Sequence, residues 1–148
     1  MVDVVDKATR SRMMAGIRAR NTKPEVMLRS ALHRRGFRFR LHAKGLPGTP
    51  DIVLRRYQAA IFVHGCFWHG HDCHHFKLPA TRTEFWREKI AANRRNDVRV
   101  IDGLCRSGWR VAVVWECATR IAPVRVDNLI DSLAVWITGN DKRGEFRK

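Results

Sequence analysis

The sequence predicts an α/β fold, a mixed central β-sheet flanked by helices. Three observations predict it. Hydrophobic residues make up 45% of 148, enough to build the core of one compact domain. Stretches of helical and strand-like patterning follow one another in the order α, β, β, β, α, β, α. Two of the strand-like runs, 51–54 and 57–63, are separated only by Arg55 and Arg56, so they pair most simply as an antiparallel hairpin. No segment repeats and none is of low complexity.

Taken in order, residues 1–21 read as a basic polar arm, partly helical around Arg10 to Arg18, and residues 22–138 as the folded domain. The first helix lies in TKPEVMLRSALHRRG (22–36): Thr22 and Glu25 have capping-box spacing, Pro24 is tolerated in a first turn, and Gly36 stops the helix. FRFRL (37–41) alternates as a short strand does, and GLPGTP (45–50) is a breaker-rich loop. DIVL and YQAAIFV form the hairpin, and the histidine-rich HGCFWHGHDCHH (64–75) leaves its end. A long helix is expected over 81–108, with Thr81 and Glu84 as a second capping box. WRVAVVWEC (109–117) reads as a buried strand and VDNLIDSLAVWI (126–137) as a closing amphipathic helix. Residues 139–148 read as a mobile C-terminal tail.

Net charge is +15, which implies a polyanionic partner, most simply nucleic acid. Residues 1–40 hold eleven Lys or Arg against three acids, so the arm and first helix can follow a phosphate backbone. No run of eighteen apolar residues could cross a membrane, and the N-terminus lacks the apolar stretch of a signal peptide. A soluble intracellular protein is expected.

In that setting the four cysteines point to metal rather than to disulfides. Cys66, His71 and Cys73 share one short polar loop, and thiolate with imidazole is the donor set zinc prefers. The fourth ligand is Cys117, just past the later strand, or its rival Cys105, which has the look of a small core residue. Five histidines in twelve positions are too many for one closed site, so His64 and His69 are free for other work.

Asp51 opens a strand beside a loop, a rigid place from which a carboxylate can bind Mg²⁺. The hairpin brings it near the Val63–His64 peptide, whose Val63 carbonyl is a second hard donor. On the long helix, Trp86, Ile90, Asn93, Asp97, Ile101 and Leu104 recur at spacings of three and four and share an inward face. An inward Asp97 needs a partner, either a histidine of the 64–69 segment or an arginine at the core edge. Glu25 either caps its helix or joins this centre. The set suits metal-assisted phosphodiester hydrolysis, with His69 or His64 moving the proton.

Several segments then resemble the very short patch repair endonucleases: DKATRSRMMAGIRARNTKPE, LPGTPDIV, IFVHGCFWHGHDC, LPATRTEFWREKI and GWRVAVVWEC, colinear over about residues 6–120. The resemblance implies a restriction-endonuclease-like domain with structural Zn²⁺ at Cys66, His71, Cys73 and Cys117. It implies Mg²⁺-dependent nicking of duplex DNA 5′ of the thymine in a T:G mismatch, of the kind that deamination of 5-methylcytosine leaves. It places Mg²⁺ at Asp51 and the carbonyl of Val63, makes His69 the general base, and has Glu25, His64 and Asp97 support the centre.

Phe67 and Trp68 gain a reading as wedges that unstack the mismatch, helped by Met14 and Trp86, against the plainer reading of core residues, the stronger one for Trp86. Arg10, Arg12 and Lys23 are expected on the phosphates. The implied protein acts as a monomer in the bacterial cytoplasm, with the nucleoid, and has room for repair helper proteins.

Two departures qualify the resemblance. Where the broader nuclease superfamily carries an acid and a lysine on the second strand, this chain has Val63 and Gly65, so histidine chemistry must substitute. Valine also stands at 63 where threonine is expected, a change that a backbone ligand survives. Two rival readings remain: a zinc-stapled DNA-binding module without catalysis, and a related restriction-type nuclease.

Overall fold

The computed structural model describes residues 22–73, 76–120 and 123–147. Arg10, Arg12, Met14 and the rest of the arm lie outside the described residues. Helix α1 (Lys23–Arg34) is followed by β1 (Arg40–Leu41), β2 (Ile52–Leu54), a 3₁₀ turn (Arg55–Tyr57) and β3 (Ala59–His64). Then come α2 (Thr83–Arg106), β4 (Arg110–Trp115), the short α3 (Glu116–Thr119), α4 (Pro123–Thr138) and β5 (Arg143–Phe146). The strands form one sheet in the order β1-β2-β3-β4-β5. β2 pairs antiparallel with β1 and β3, and β4 pairs parallel with β3 and β5. The expected hairpin is present, with Ile52 opposite Ile61 and Leu54 opposite Ala59, and Gln58 closes the turn in left-handed conformation.

Strand alternation divides the core in two. Ile61, Ala112 and Val114 join Leu28, Leu32, Ile130, Leu133 and Ile137, so α1 and α4 cover this face. The intervening residues Phe62, Val111 and Val113 meet Leu104, Val100 and Ile101 of α2. His64 has the parity of Phe62, so the last residue of β3 emerges on the α2 side. That single step of register puts an imidazole where Asp97 can reach its neighbourhood.

Three expectations are corrected. FRFRL yields only the two-residue β1, because its two phenylalanines pack sideways on the α1 core before the strand begins. The N-cap of α2 is Arg82, left-handed and without a side-chain cap bond, while the Thr83 hydroxyl donates back to the carbonyls of Pro79 and Ala80. Residues set apart as a tail form β5, joined to the body by Trp115 Nε1 donating to Glu145 (2.9 Å) and by an Arg147–Asp72 ion pair (2.7 Å). β5 also presses Gly144 on the Trp136 indole: a Cβ there would lie 2.8 Å from Nε1, so only glycine fits without a shift. No helix among the described residues is long and apolar enough to cross a membrane.

Candidate active site and metal cluster

The first cluster is built at the open end of the hairpin. Beyond Ile52 the ladder stops, and the Val63 N–H that no strand partner takes is accepted by the Asp51 carboxylate at 2.7 Å. In an extended strand a residue's N–H and C=O lie on the same edge, so the Val63 carbonyl faces the Asp51 side as well. Glu25 reaches the same place from the first turn of α1. Its main chain takes the Thr22 cap at 3.5 Å, while its carboxylate is almost wholly buried and meets His42 Nε2 at 3.0 Å.

Donor atoms of Glu25, His42 and Asp51 all lie within 4.8 Å of one another. Two carboxyl groups pressed together out of water repel when both ionise, and a cation between them removes the conflict. Burial pushes the Asp51 carboxyl up to about 7; the Val63 N–H and His42 pull it down, and the charge of Glu25 adds to the rise. A cation must therefore displace a proton from Asp51 below that pH. Divalent-cation affinity, measured by calorimetry on the DNA-free protein, is expected to rise about tenfold per unit from about pH 5 to 7 and then level off. A flat profile over that range would put the cation on other ligands.

The second cluster stands beside the first. His69 Nδ1 and Asp97 Oδ2 are 2.6 Å apart, so the inward aspartate of the long helix takes a histidine, not an arginine. The His64 ring lies flat on the His69 ring, centroids 3.8 Å apart and planes 4° from parallel. Burial, and then the charge of His69, push His64 down to about 3, and Asp97 offsets this only in part. His64 is thus neutral at physiological pH, while His69 beside it is oriented by Asp97.

The loop that carries these histidines is held against α2. Asn93 Nδ2 donates to the Trp68 carbonyl at 2.9 Å, and Gly70 is left-handed with Ile90 so close that a Cβ would sit 2.6 Å from it. Asp51, Val63, His42, His64, His69 and Asp97 line one cleft of about 380 Å³. A larger cleft of about 630 Å³ lies across the His64–His69 stack and has no part of the Glu25–His42–Asp51 group. Of these two clefts, only the smaller brings Asp51 and His42 together with the His69–Asp97 pair.

The third cluster is separate. Cys66, His71, Cys73 and Cys117 bring one donor atom each within 4.8 Å of one another. All four cysteines of the chain are free thiols. His71 Nδ1 is 3.6 Å from Cys117 Sγ, which is the edge of a tetrahedron with Zn–S and Zn–N bonds of ordinary length, about 3.6 Å. Its Nε2 finds the Asp72 carboxylate only at 3.6 Å, outside hydrogen-bond range. Without a cation, burial pushes the Cys66 thiol up to about 12; the Cys117 backbone N–H pulls it down in part, and the Cys73 and Cys117 thiols add to the rise. Cys105 lies elsewhere, against the Phe62–Leu104 core, which separates it from its rival Cys117. Cys117 comes from α3 rather than from the strand, because β4 ends at Trp115. The cluster thus ties the loop to the end of β4, where the Trp115 indole stacks on His71 at 4.0 Å.

Phe67, Trp68 and Trp86 form a half-buried aromatic group with centroids 5.2–5.8 Å apart, and Phe76 borders it. Lys23 is exposed at the start of α1. His42 was missed in the sequence. Its signal was faint: a histidine just after a strand, with no partner in sequence, made useful by a left-handed backbone (φ +48°).

Clustered acids, an oriented imidazole and a thiol-rich group able to hold a metal, on a chain of charge +15, fit one class of protein: a hydrolytic enzyme working on a polyanion. Residues 2–75 match the family model described as DNA mismatch endonuclease Vsr. The chain is 51% identical over 140 residues to the DNA mismatch endonuclease Vsr of Escherichia coli (strain K12), covering 94% of this chain and 90% of that one. It is 51% identical over 117 residues to the type II nicking enzyme V.XorIIP of Xanthomonas oryzae pv. oryzae, covering 79% and 86%. It is 44% identical over 117 residues to the type II nicking enzyme V.NmeAIP of Neisseria meningitidis, covering 79% and 84%. The chain belongs to the DNA mismatch endonuclease Vsr family, a family of DNA endonucleases.

Proposed function

We propose that this protein nicks duplex DNA on the 5′ side of the thymine in a T:G mismatch and so starts very short patch repair. The observation that carries the reading is the His69–Asp97 pair in the same cleft as Asp51. Asp51 and the Val63 carbonyl would hold Mg²⁺, with Glu25 beside them. Bound there, Mg²⁺ supplies Lewis-acid polarisation of the scissile phosphate and lowers the pKa of the attacking water.

The chain's own residues do the rest. His69 has Nδ1 taken by Asp97, which leaves Nε2 to accept the proton of the water. Asp97 fixes the ring and stabilises the imidazolium that results. His64, neutral and stacked, keeps the ring from turning and leaves the positive charge to His69. Zn²⁺ at Cys66, His71, Cys73 and Cys117 would hold the loop that carries His69. The mixed sheet with its acids at the hairpin end agrees with a restriction-endonuclease-like fold.

On the DNA side, Phe67 and Trp68, with Trp86 behind them and Met14 from the arm, would enter the stack at the mismatch. Arg10, Arg12 and Lys23 would hold phosphates. The protein works as a monomer in the bacterial nucleoid, and helper proteins of repair would meet it there. Trp68→Ala should lower mismatch cleavage roughly ten- to a hundredfold, the worth of one aromatic–base stack of about 1–3 kcal/mol. Single-turnover rates on T:G duplex read this, and an unchanged rate would return Trp68 to the core.

The test of the whole reading is a nicking assay on duplexes with T:G or T:A at one position, with Mg²⁺ or with EDTA. A Mg²⁺-dependent nick on the T:G duplex alone is expected. No Mg²⁺-dependent nick on any mismatch would leave a zinc-stapled DNA-binding module. Equal cutting of T:A would point to a restriction-type nuclease.

A further inference from the structure

We propose that His42 is a positioning residue of the cleavage reaction: its Nε2–H holds the Glu25 carboxylate beside Asp51 and thereby sets how tightly the pair takes a divalent cation. The inference rests on the reading of Asp51 as the cation site.

Three observations support it. His42 is bonded to both acids by different parts of itself. Its main-chain N–H donates to the Asp51 carbonyl at 3.2 Å, and its imidazole Nε2 meets Glu25 Oε2 at 3.0 Å. The contact is enclosed: the two side chains are 13% and 4% exposed, so water competes little for the Glu25 oxygen. The geometry is also imposed rather than incidental. The loop from His42 to Thr49 begins and ends on left-handed residues, at φ +48° and +49°. Its base is tied by the His42 bond and by Ala43 N–H to the Pro50 carbonyl (3.3 Å). Off-range backbone of this kind persists where surrounding structure enforces it, and it turns the His42 side chain toward α1.

The chemistry follows. A carboxylate that serves a metal is effective when its other contacts fix its direction, and loss of such a partner typically costs about 10–100-fold in metal affinity or activity. Glu25 and Asp51 come from different elements, α1 and the start of β2. Among the described residues, His42 bonds to both, through its main chain to Asp51 and its ring to Glu25.

The test uses the full chain. Mn²⁺ affinity is measured by electron paramagnetic resonance without DNA, alongside single-turnover nicking, mismatch-DNA affinity and thermal midpoint. An asparagine amide can reach only where Nδ1 lies, whereas a glutamine amide reaches the Nε2 position. His42→Gln should therefore keep near-native Mn²⁺ affinity and single-turnover nicking rate. His42→Asn should lose about ten- to a hundredfold of both, with DNA affinity unchanged. In a Glu25→Ala background, His42→Asn should cost nothing more, since its effect runs through Glu25.

Equal affinity in the Asn and Gln variants, or an undiminished loss without Glu25, would overturn the inference. Asp51→Asn separates the two levels. If it keeps native Mn²⁺ affinity, the cation site itself is misplaced; if it loses Mn²⁺ while His42→Asn does not, only the role of His42 falls.

Discussion

Asp51→Asn is expected to lose cleavage by at least about a thousandfold, the several kcal/mol a catalytic cation supplies, while still binding mismatched duplex. Asparagine has the shape of aspartate and can still accept the Val63 N–H, so the hairpin end should keep its form. What it lacks is the charge that makes the carboxylate a ligand for a hard cation. The fold should not suffer, because burial disfavours the ionised Asp51 in the metal-free protein. Removing a negative charge from the cleft should, if anything, help DNA to bind. Single-turnover nicking and a binding isotherm on the same T:G duplex give the two numbers. Normal cleavage by this variant would mean that the cation sits elsewhere.

The second large effect concerns the other cluster. Cys117→Ser is expected to empty the zinc site and lower the thermal midpoint by roughly 10–20 °C, taking about 5 kcal/mol from a structural zinc worth about 10–16 and about 2–4 °C per kcal/mol. Cys117 is fully buried at the start of α3, and its thiol meets His71 on the loop that carries His69. A short loop of histidines, glycines and cysteines has little core of its own, so a metal at this cluster would join it to the end of β4. Nicking should fall with stability, since the His71 ring also stacks on Trp115, which touches the edges of His64 and His69. Cys105→Ser is the control: its thiol packs against the Phe62–Leu104 core, and zinc content should stay at one equivalent per chain. Metal analysis and calorimetry decide it. Zinc retained without Cys117, or lost without Cys105, would reverse the ligand assignment.

Much of this centre was legible because it obeys local rules. Two arginines between two apolar runs specify the hairpin, and the hairpin brings Asp51 to Val63. The three-and-four spacing from Trp86 to Leu104 turns Asp97 inward, and an inward acid requires a partner. Donor chemistry alone selected Cys66, His71 and Cys73.

What escaped was non-local. β5 has the charged, alternating pattern of an edge strand, which in sequence looks like a solvated tail until β4 offers it a ladder. The Thr81 capping box has the right spacing, but the chain enters α2 through a left-handed Arg82, and the hydroxyl at 83 takes up the preceding carbonyls. His42 owes its place to a positive φ and to a helix seventeen residues upstream, and no periodicity records either.

If Asp51 and the Val63 carbonyl hold the divalent cation, it sits beside the His69–Asp97 pair. Anomalous scattering from crystals grown with Mn²⁺ and a T:G duplex measures this directly. A peak is expected at ordinary ligand distance, about 2.0–2.3 Å, from an Asp51 oxygen and the Val63 oxygen. A peak bound by other residues, with this cleft empty and the crystals still able to nick their DNA, would contradict it.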